Sequence, residues 1–263
     1  MEACDFGLCA VARAVTGIAG LPQHAAVAGP QLGAICFRGL ARATRVENRT
    51  KVDEAARVRM GAIQAVVFDM DEVLCRYRIE RRLALLASWS GRSPDVIHAA
   101  IWRSGFEDEA ERGVWTADGY LQEFGDRLGY PLSTAQWVAA RRAAMEPDEA
   151  VLSLARRVSV TRPVAMFTNN PLLLKRHIGE VFPAVPEIFG ARAVFSAELG
   201  RSKPDPEAFH RLTRRLEVPP GAVLFFDDDA GYVAGARRAG LEAYRFEGAA
   251  AVRERLAAHG VVS

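Results

Sequence analysis

At 263 residues, half of them hydrophobic and a quarter charged, the chain is large enough for one sizeable core or a core with an insertion. The 34 basic and 32 acidic residues nearly cancel, which argues against a nucleic-acid partner, and no apolar run approaches the length of a membrane span. The 4 cysteines, Cys4, Cys9, Cys36 and Cys75, have neither zinc spacing nor the density of a secreted scaffold, so the expectation is a cytoplasmic, reducing compartment.

Residues 1–60 differ from the rest. No acidic residue occurs between Asp5 and Glu47, and no helical or strand period is sustained. An Arg-containing, acid-poor segment has the character of a targeting presequence. Glu2 and Asp5 at the start and the lack of a clean apolar stretch speak against that. The preferred reading is a disordered or mis-annotated extension, with translation starting at Met60.

From position 63 strands and helices alternate. Residues 65–68, 164–167 and 223–226 are short Val/Phe-containing apolar runs, as buried parallel strands are. Each ends in a polar residue: Asp69, Thr168, Asp227. Helices are predicted over 171–181 and 231–239, and Asp205 with Pro206 reads as N-cap and first helical residue of another, to about 216. The predicted fold class is therefore α/β, a Rossmann-like parallel sheet with helices on both faces.

Residues 78–146 interrupt this pattern with helix starts and no convincing strand. Ser93 with Pro94 opens one helix, Thr116 caps another, and Ser133 with Gln136 forms a capping box. All four tryptophans, Trp89, Trp102, Trp115 and Trp137, lie here, which fits the core of a helical bundle. The predicted organisation is an α/β core over 61–77 and 147–263, with a small all-helical domain inserted over 78–146.

In parallel α/β sheets ligands bind beyond the carboxyl ends of the strands. Asp69, Thr168 and the run from Asp227 to Asp229 should therefore converge. Alternation along an extended backbone puts Asp69 and Asp71 on one side and Met70 on the other. Such a cluster of carboxylates calls for a cation, and hard oxygen donors suit Mg²⁺ together with a substrate phosphate. An aspartate facing that phosphate can attack it, and a second carboxylate can protonate the leaving oxygen and then activate water. Thr168 and Lys203 supply donors for the developing charge, the lysine fixed by the two prolines that follow it, Pro204 and Pro206.

These residues stand in four ordered segments, "FDMDEVL", "VAMFTNN", "RSKPDPEAF" and "VLFFDDDAGYVAGARRAGL". In them the sequence resembles the haloacid dehalogenase superfamily. It is similar to that superfamily's phosphatase branch with a helical cap, including sugar-phosphate phosphatases and the N-terminal phosphatase domain of soluble epoxide hydrolase. The resemblance implies Asp69 as nucleophile, and Asp71 as general acid/base whose backbone carbonyl also meets Mg²⁺. It implies Thr168 and Asn169 as phosphoryl binders, Lys203 as the bridge between nucleophile and phosphate, and Asp228 with Asp227 in the metal shell. The expected activity is Mg²⁺-dependent hydrolysis of a small phosphorylated metabolite through an aspartyl-phosphate. Phosphomutase, dehalogenase and non-catalytic binding are the alternatives; a dehalogenase has no need of Asp71.

Two positions depart from the commonest pattern. Glu72 stands where glycine usually follows the second aspartate, and is expected to turn outward. Tyr232 stands where Asn or Asp often completes the last segment. Asp229 is expected to be solvated or to cap the next helix, and Cys75 to be a packing thiol. Phe106 and Glu107 are expected substrate contacts from the cap.

Overall fold

The computed structural model describes residues 62–262. The expectations for residues 1–60 fall outside them. Strand β1, Ala65–Phe68, lies at the centre of a five-stranded sheet. On one side are β4 (Val164–Thr168) and then β5 (Ala193–Phe195). On the other are β6 (Val223–Asp227) and then β7 (Glu242–Arg245). All four pairings are parallel, with Phe68 opposite both Met166 and Phe226. The chain winds outward from β1 through β4 to β5, then returns to build β6 and β7 on the other side. The crevice beside β1 is thus the topological switch point, where such sheets bind ligands.

The apolar runs are continuous because both sheet faces are covered. Val66, Phe68, Met166, Leu224 and Phe226 point to one face. It is covered by α6 (Glu149–Ser159), α7 (Leu172–Val181), α8 (Ala184–Phe189) and α12 (Ala249–Ala258). Val67, Ala165, Phe167, Val223 and Phe225 point to the other, beneath α10 (Pro206–Leu216) and α11 (Ala230–Arg238). As predicted, Pro206 opens α10, and the Asp205 carboxylate accepts from the Glu207 N–H. Four-residue α9, Ser196–Leu199, follows β5 directly.

Between β1 and β4 come helices α1 (Ile79–Ser90), α2 (Pro94–Ile101), α3 (Phe106–Glu111), α4 (Ala117–Leu128) and α5 (Thr134–Ala144). Thr116 accepts from the Gly119 N–H, and Ser133 and Gln136 complete the capping box. Phe106, Tyr120, Phe124 and Trp137 are buried at the centre of these helices, and the other three tryptophans pack around them. The expectation of an insertion without strands needs one correction. Its entrance and exit, β2 (Cys75–Tyr77) and β3 (Met145–Pro147), pair antiparallel. Three residues are too few to show a period in sequence.

A buried lysine among aspartates at the sheet edge

The carboxyl ends of β1, β4 and β6 bring Asp69, Thr168 and Asp227 together as predicted. Lys203, only 2 % exposed, reaches between them from the loop before α10. Its Nζ lies 2.8 Å from Asp69 Oδ1 and 2.6 Å from Asp227 Oδ2. The faces of Phe167, Phe225 and Tyr232 enclose the ammonium, with ring centres 5.6, 5.6 and 4.9 Å away. Such enclosure favours a desolvated cation. The loop is held by Asn169, whose Oδ1 accepts from the Lys203 N–H and whose Nδ2 donates to the Lys203 carbonyl. The Lys203–Pro204 peptide is cis. Gly235 of α11 packs so closely that a Cβ there would lie 2.4 Å from the Pro204 carbonyl oxygen, so only glycine fits.

One oxygen from each of Asp69, Asp227 and Asp228 lies within 4.8 Å of the others. Asp227 is fully buried and is satisfied by Lys203 and by the Asp229 N–H. Asp69 Oδ1 is buried and shares the Lys203 ammonium, 2.8 Å away, with Asp227. Burial raises the Asp69 pKa, Lys203 pulls it back, and the Asp227 charge raises it again. Burial and then Asp227 raise Asp228 as well. Three carboxylates gathered within 4.8 Å of one another, with one ammonium between two of them, form a donor set that a further hard cation fits.

Asp71 has other neighbours. Beyond Phe68 the chain leaves the strand; Met70 is buried in the core, and the Asp71 carboxylate meets the helical insertion. Arg141 of α5, 2 % exposed, directs Nη2 at both Asp71 oxygens, 3.0 Å from Oδ1 and 2.7 Å from Oδ2. Asn170 Nδ2 donates to Asp71 Oδ2 at 3.2 Å and to Thr168 Oγ1 at 2.7 Å. Neither Arg141 nor Asn170 stands out in the sequence. Arg141 is one of two adjacent arginines in a helix, and only the docking of that helix distinguishes it from Arg142.

The expected contacts from the insertion need correcting. Phe106 is 1 % exposed, stacked on Tyr120 with ring centres 5.0 Å apart, so it belongs to the helical core. Glu107 Oε1 accepts from the Tyr120 hydroxyl. Glu111, at the end of the same helix, was not singled out by sequence. Its partly buried carboxyl is pushed up to about 8 by burial and then by Glu107 and Asp108, and it also feels Lys203 and Asp69. Ser196 Oγ donates to the Glu111 carbonyl and ties this end of α3 to the edge of the sheet.

Glu72 turns outward, as expected, and has φ 62°, which explains why glycine is usual there. Its Oε1 accepts from the Tyr77 N–H at 2.8 Å. Glu72→Gly removes the left-handed strain and this exposed hydrogen bond together. Stability should change by no more than about 1 kcal/mol, since each effect is of that size. Activity should stay within about twofold of the parent, the size expected for a change at an exposed side chain; a larger change would place Glu72 in the site. Asp229 caps α11, accepting from the Tyr232 N–H, and Cys75 is a buried thiol. Tyr232 supplies a ring face to Lys203 rather than a polar group to the acids.

A parallel α/β core with a helical insertion and an acid–lysine cluster at the switch point defines a class of hydrolase. Residues 63–240 match the family model of the haloacid dehalogenase-like hydrolases. The chain belongs to that family. It is 29% identical over 192 residues to Phosphatase MT3486 of Mycobacterium tuberculosis, covering 70% of this chain and 87% of that protein. To the D-ribitol-5-phosphate phosphatase of Bacteroides thetaiotaomicron it is 23% identical over 199 residues, 74% of this chain and 97% of the other. Among solved structures, a haloacid dehalogenase family enzyme from Bacteroides thetaiotaomicron, in complex with magnesium and inorganic phosphate, superposes with a TM-score of 0.60. The identity there is 20%, over 70% of this chain and 94% of that one, a likeness of fold. Among the described residues, no helix is long and apolar enough to cross a membrane.

Proposed function

We propose that this protein is a Mg²⁺-dependent phosphatase that hydrolyses a small phosphorylated metabolite through an aspartyl-phosphate on Asp69. The observation that carries the reading is the buried Asp69–Lys203–Asp227 cluster with Asp228 beside it, three carboxylates within 4.8 Å of one another at the switch point of the sheet. The phosphatase names of both curated relatives, and the magnesium and phosphate in the structural neighbour, support it.

Asp69, Asp228 and Asp227 would hold the ion, with the Asp71 backbone carbonyl. When bound, it supplies positive charge to the carboxylates and the phosphoryl oxygens. Lys203 holds Asp69 in place and offers its charge to the phosphoryl group. Thr168 presents its hydroxyl at the end of β4. The Asn169 side chain is occupied by Lys203, so its part in phosphoryl binding passes to the backbone. Asp69 attacks phosphorus as the ester P–O bond breaks, and Asp71 gives a proton to the leaving oxygen. Asp71 then takes a proton from the water that cleaves the aspartyl-phosphate, and free phosphate departs. The retained Asp71 carboxylate favours this chemistry over dehalogenation.

We read residues 61–77 and 147–263 as the catalytic core and 78–146 as a lid whose inner surface selects the leaving group. Two features support this: the insertion begins and ends at the β2–β3 pair, and it contacts the site through Arg141 and α3. The test is phosphate release by the purified full chain from a panel of phosphorylated metabolites, with Mg²⁺ or with EDTA. Turnover should fall at least about a hundredfold on chelation, since several kcal/mol of charge stabilisation are removed, and should return with Mg²⁺. Undiminished turnover in fully chelated protein would remove the metal, and no release from any compound would remove the phosphatase reading.

A further inference from the structure

We propose that Arg141 is the positioning residue of the proton-transfer step: from the helical insertion it aims the Asp71 carboxylate at the leaving group. The inference rests on Asp71 being the acid/base group, and extends that reading to a residue outside the four motif segments.

The geometry is that of an aimed side chain. A carboxylate on a loop can rotate freely unless both oxygens are held. Arg141 Nη2 contacts both, at 3.0 and 2.7 Å, and Asn170 Nδ2 adds a second donor to Oδ2 at 3.2 Å. Oδ2 is therefore the anchored oxygen. Oδ1 has the longer Arg141 contact and a 3.8 Å contact from the Cys75 thiol; it is the less tightly held of the two, and the proton exchange is assigned to it. Asn170 is itself fixed, its N–H on Ser196 Oγ at 3.2 Å and its Nδ2 on Thr168 Oγ1 at 2.7 Å. The phosphoryl-facing threonine and the acid/base aspartate thus share one amide.

Arg141 is held with equal care. Its guanidinium lies over the Tyr77 ring, 4.1 Å from the ring centre, and the Tyr77 hydroxyl accepts from Arg82 Nη1 at 3.0 Å. Arg82 is also buried, over the rings of Trp102, Phe124 and Trp137. Burying a guanidinium costs several kcal/mol when its charge is not met. Simple packing at this depth of α5 would be served by leucine or methionine. Burial works against the Arg141 charge, and Asp71, with Tyr77 and Cys75, more than restores it. The chain from Arg82 through Tyr77 and Arg141 to Asp71 links the centre of the insertion to the reacting edge of the sheet. The orientation of Asp71 therefore depends on the insertion being seated.

In the step itself a P–O bond forms at Asp69, the ester P–O bond breaks, and the proton on Asp71 Oδ1 goes to the departing oxygen. A poor leaving group needs that proton and a good one does not. The test compares kcat/KM, which covers the steps through leaving-group departure, for phenyl phosphate and p-nitrophenyl phosphate with Mg²⁺. The enzymes are the parent full chain, Arg141→Met, Arg141→Lys, Tyr77→Leu and Asp71→Asn. Asp71→Asn should lose about a hundredfold more on phenyl phosphate than on p-nitrophenyl phosphate, the scale of a general acid. Arg141→Met should show the same bias, about tenfold, with Arg141→Lys recovering part of it and Tyr77→Leu showing it more weakly. Thermal melts confirm folding, and should Arg141→Met not fold, Arg141→Lys and Tyr77→Leu carry the comparison. If Asp71→Asn discriminates while the Arg141 and Tyr77 variants lose equally on both compounds, or lose nothing, the inference is overturned and Arg141 is a packing residue. If Asp71→Asn itself shows no bias, the acid/base reading of Asp71 fails and the inference falls with it.

Discussion

Asp69→Asn is expected to lower phosphate release by at least about a thousandfold while the protein remains folded, as removal of a nucleophile does. The substitution keeps shape and volume and deletes the attacking oxygen. Lys203 retains its 2.6 Å contact with Asp227, so the site does not lose its central cation. The stability change is expected to be small and can be favourable, because the carboxyl at position 69 sits where burial disfavours its charge. A neutral amide carries no such cost. The check is phosphate release over a long time course beside a thermal melt. Near-parental turnover would reject Asp69 as nucleophile, and collapse of the melt would show that its first role is structural.

Lys203→Met should be the more damaging change to the whole molecule. The ammonium is buried between two buried carboxylates, and those carboxylates hold its pKa above the usual lysine value in spite of burial. A cation with a raised folded-state pKa stabilises throughout the range below its unfolded value, hence fully between pH 5 and 8. Removing it leaves Asp69 and Asp227 facing each other unneutralised, a loss of about 3–5 kcal/mol for one partner of a buried ion pair. The sign with pH follows from Asp69. Already raised by burial, it takes up a proton more readily without the lysine. With Asp69 already raised to about 8 in the parent, the extra destabilisation should therefore set in above about pH 8 and be absent near pH 6. Denaturant melts near about pH 6 and about pH 9.5 measure it, and equal stability losses at both would contradict the electrostatic account. Activity should fall by about a hundredfold or more, the scale seen when one charge-stabilising donor is removed. Mg²⁺ should restore stability in part, since it adds charge to the same carboxylates.

The two variants also separate the chemistry from the architecture. Asp69→Asn tests an atom that reacts; Lys203→Met tests the charge that lets three acids meet. Asn169 and Gly235 belong to the second category. One clamps the lysine's own peptide groups, and the other clears space for the Pro204 carbonyl.

The three central strands could be read from the sequence because both faces of a parallel sheet are buried, which writes a continuous apolar run. The outer strands could not. β5 has three residues, and in β7 only Ala243 is buried, so neither leaves a run long enough to distinguish from a loop. Helix starts were legible for a local reason: Thr116, Ser133 and Asp205 bond to backbone N–H groups two or three residues on. Capping is chemistry between near neighbours, and sequence records near neighbours.

The same division runs through the site. Asp69, Asp71, Thr168, Lys203, Asp227 and Asp228 follow from the strand ends and the four segments, since fold topology carries strand ends to one edge. What the sequence by itself determined is this set of groups and the sheet that gathers them. Only the tertiary structure decided how they divide their contacts. Asp69 went to the lysine and its fellow acids, Asp71 to Arg141 and Asn170, and Asn169 to the lysine's backbone. It also put Phe106 in the helical core and tied the other end of α3 to the sheet edge, through the Glu111 carbonyl and Ser196 Oγ. The physical reason is that a side chain's partner depends on where a helix docks, over separations of up to 99 residues here. Burial then makes each such pairing energetically decisive, because an unmatched charge in the interior costs more than any local preference can repay.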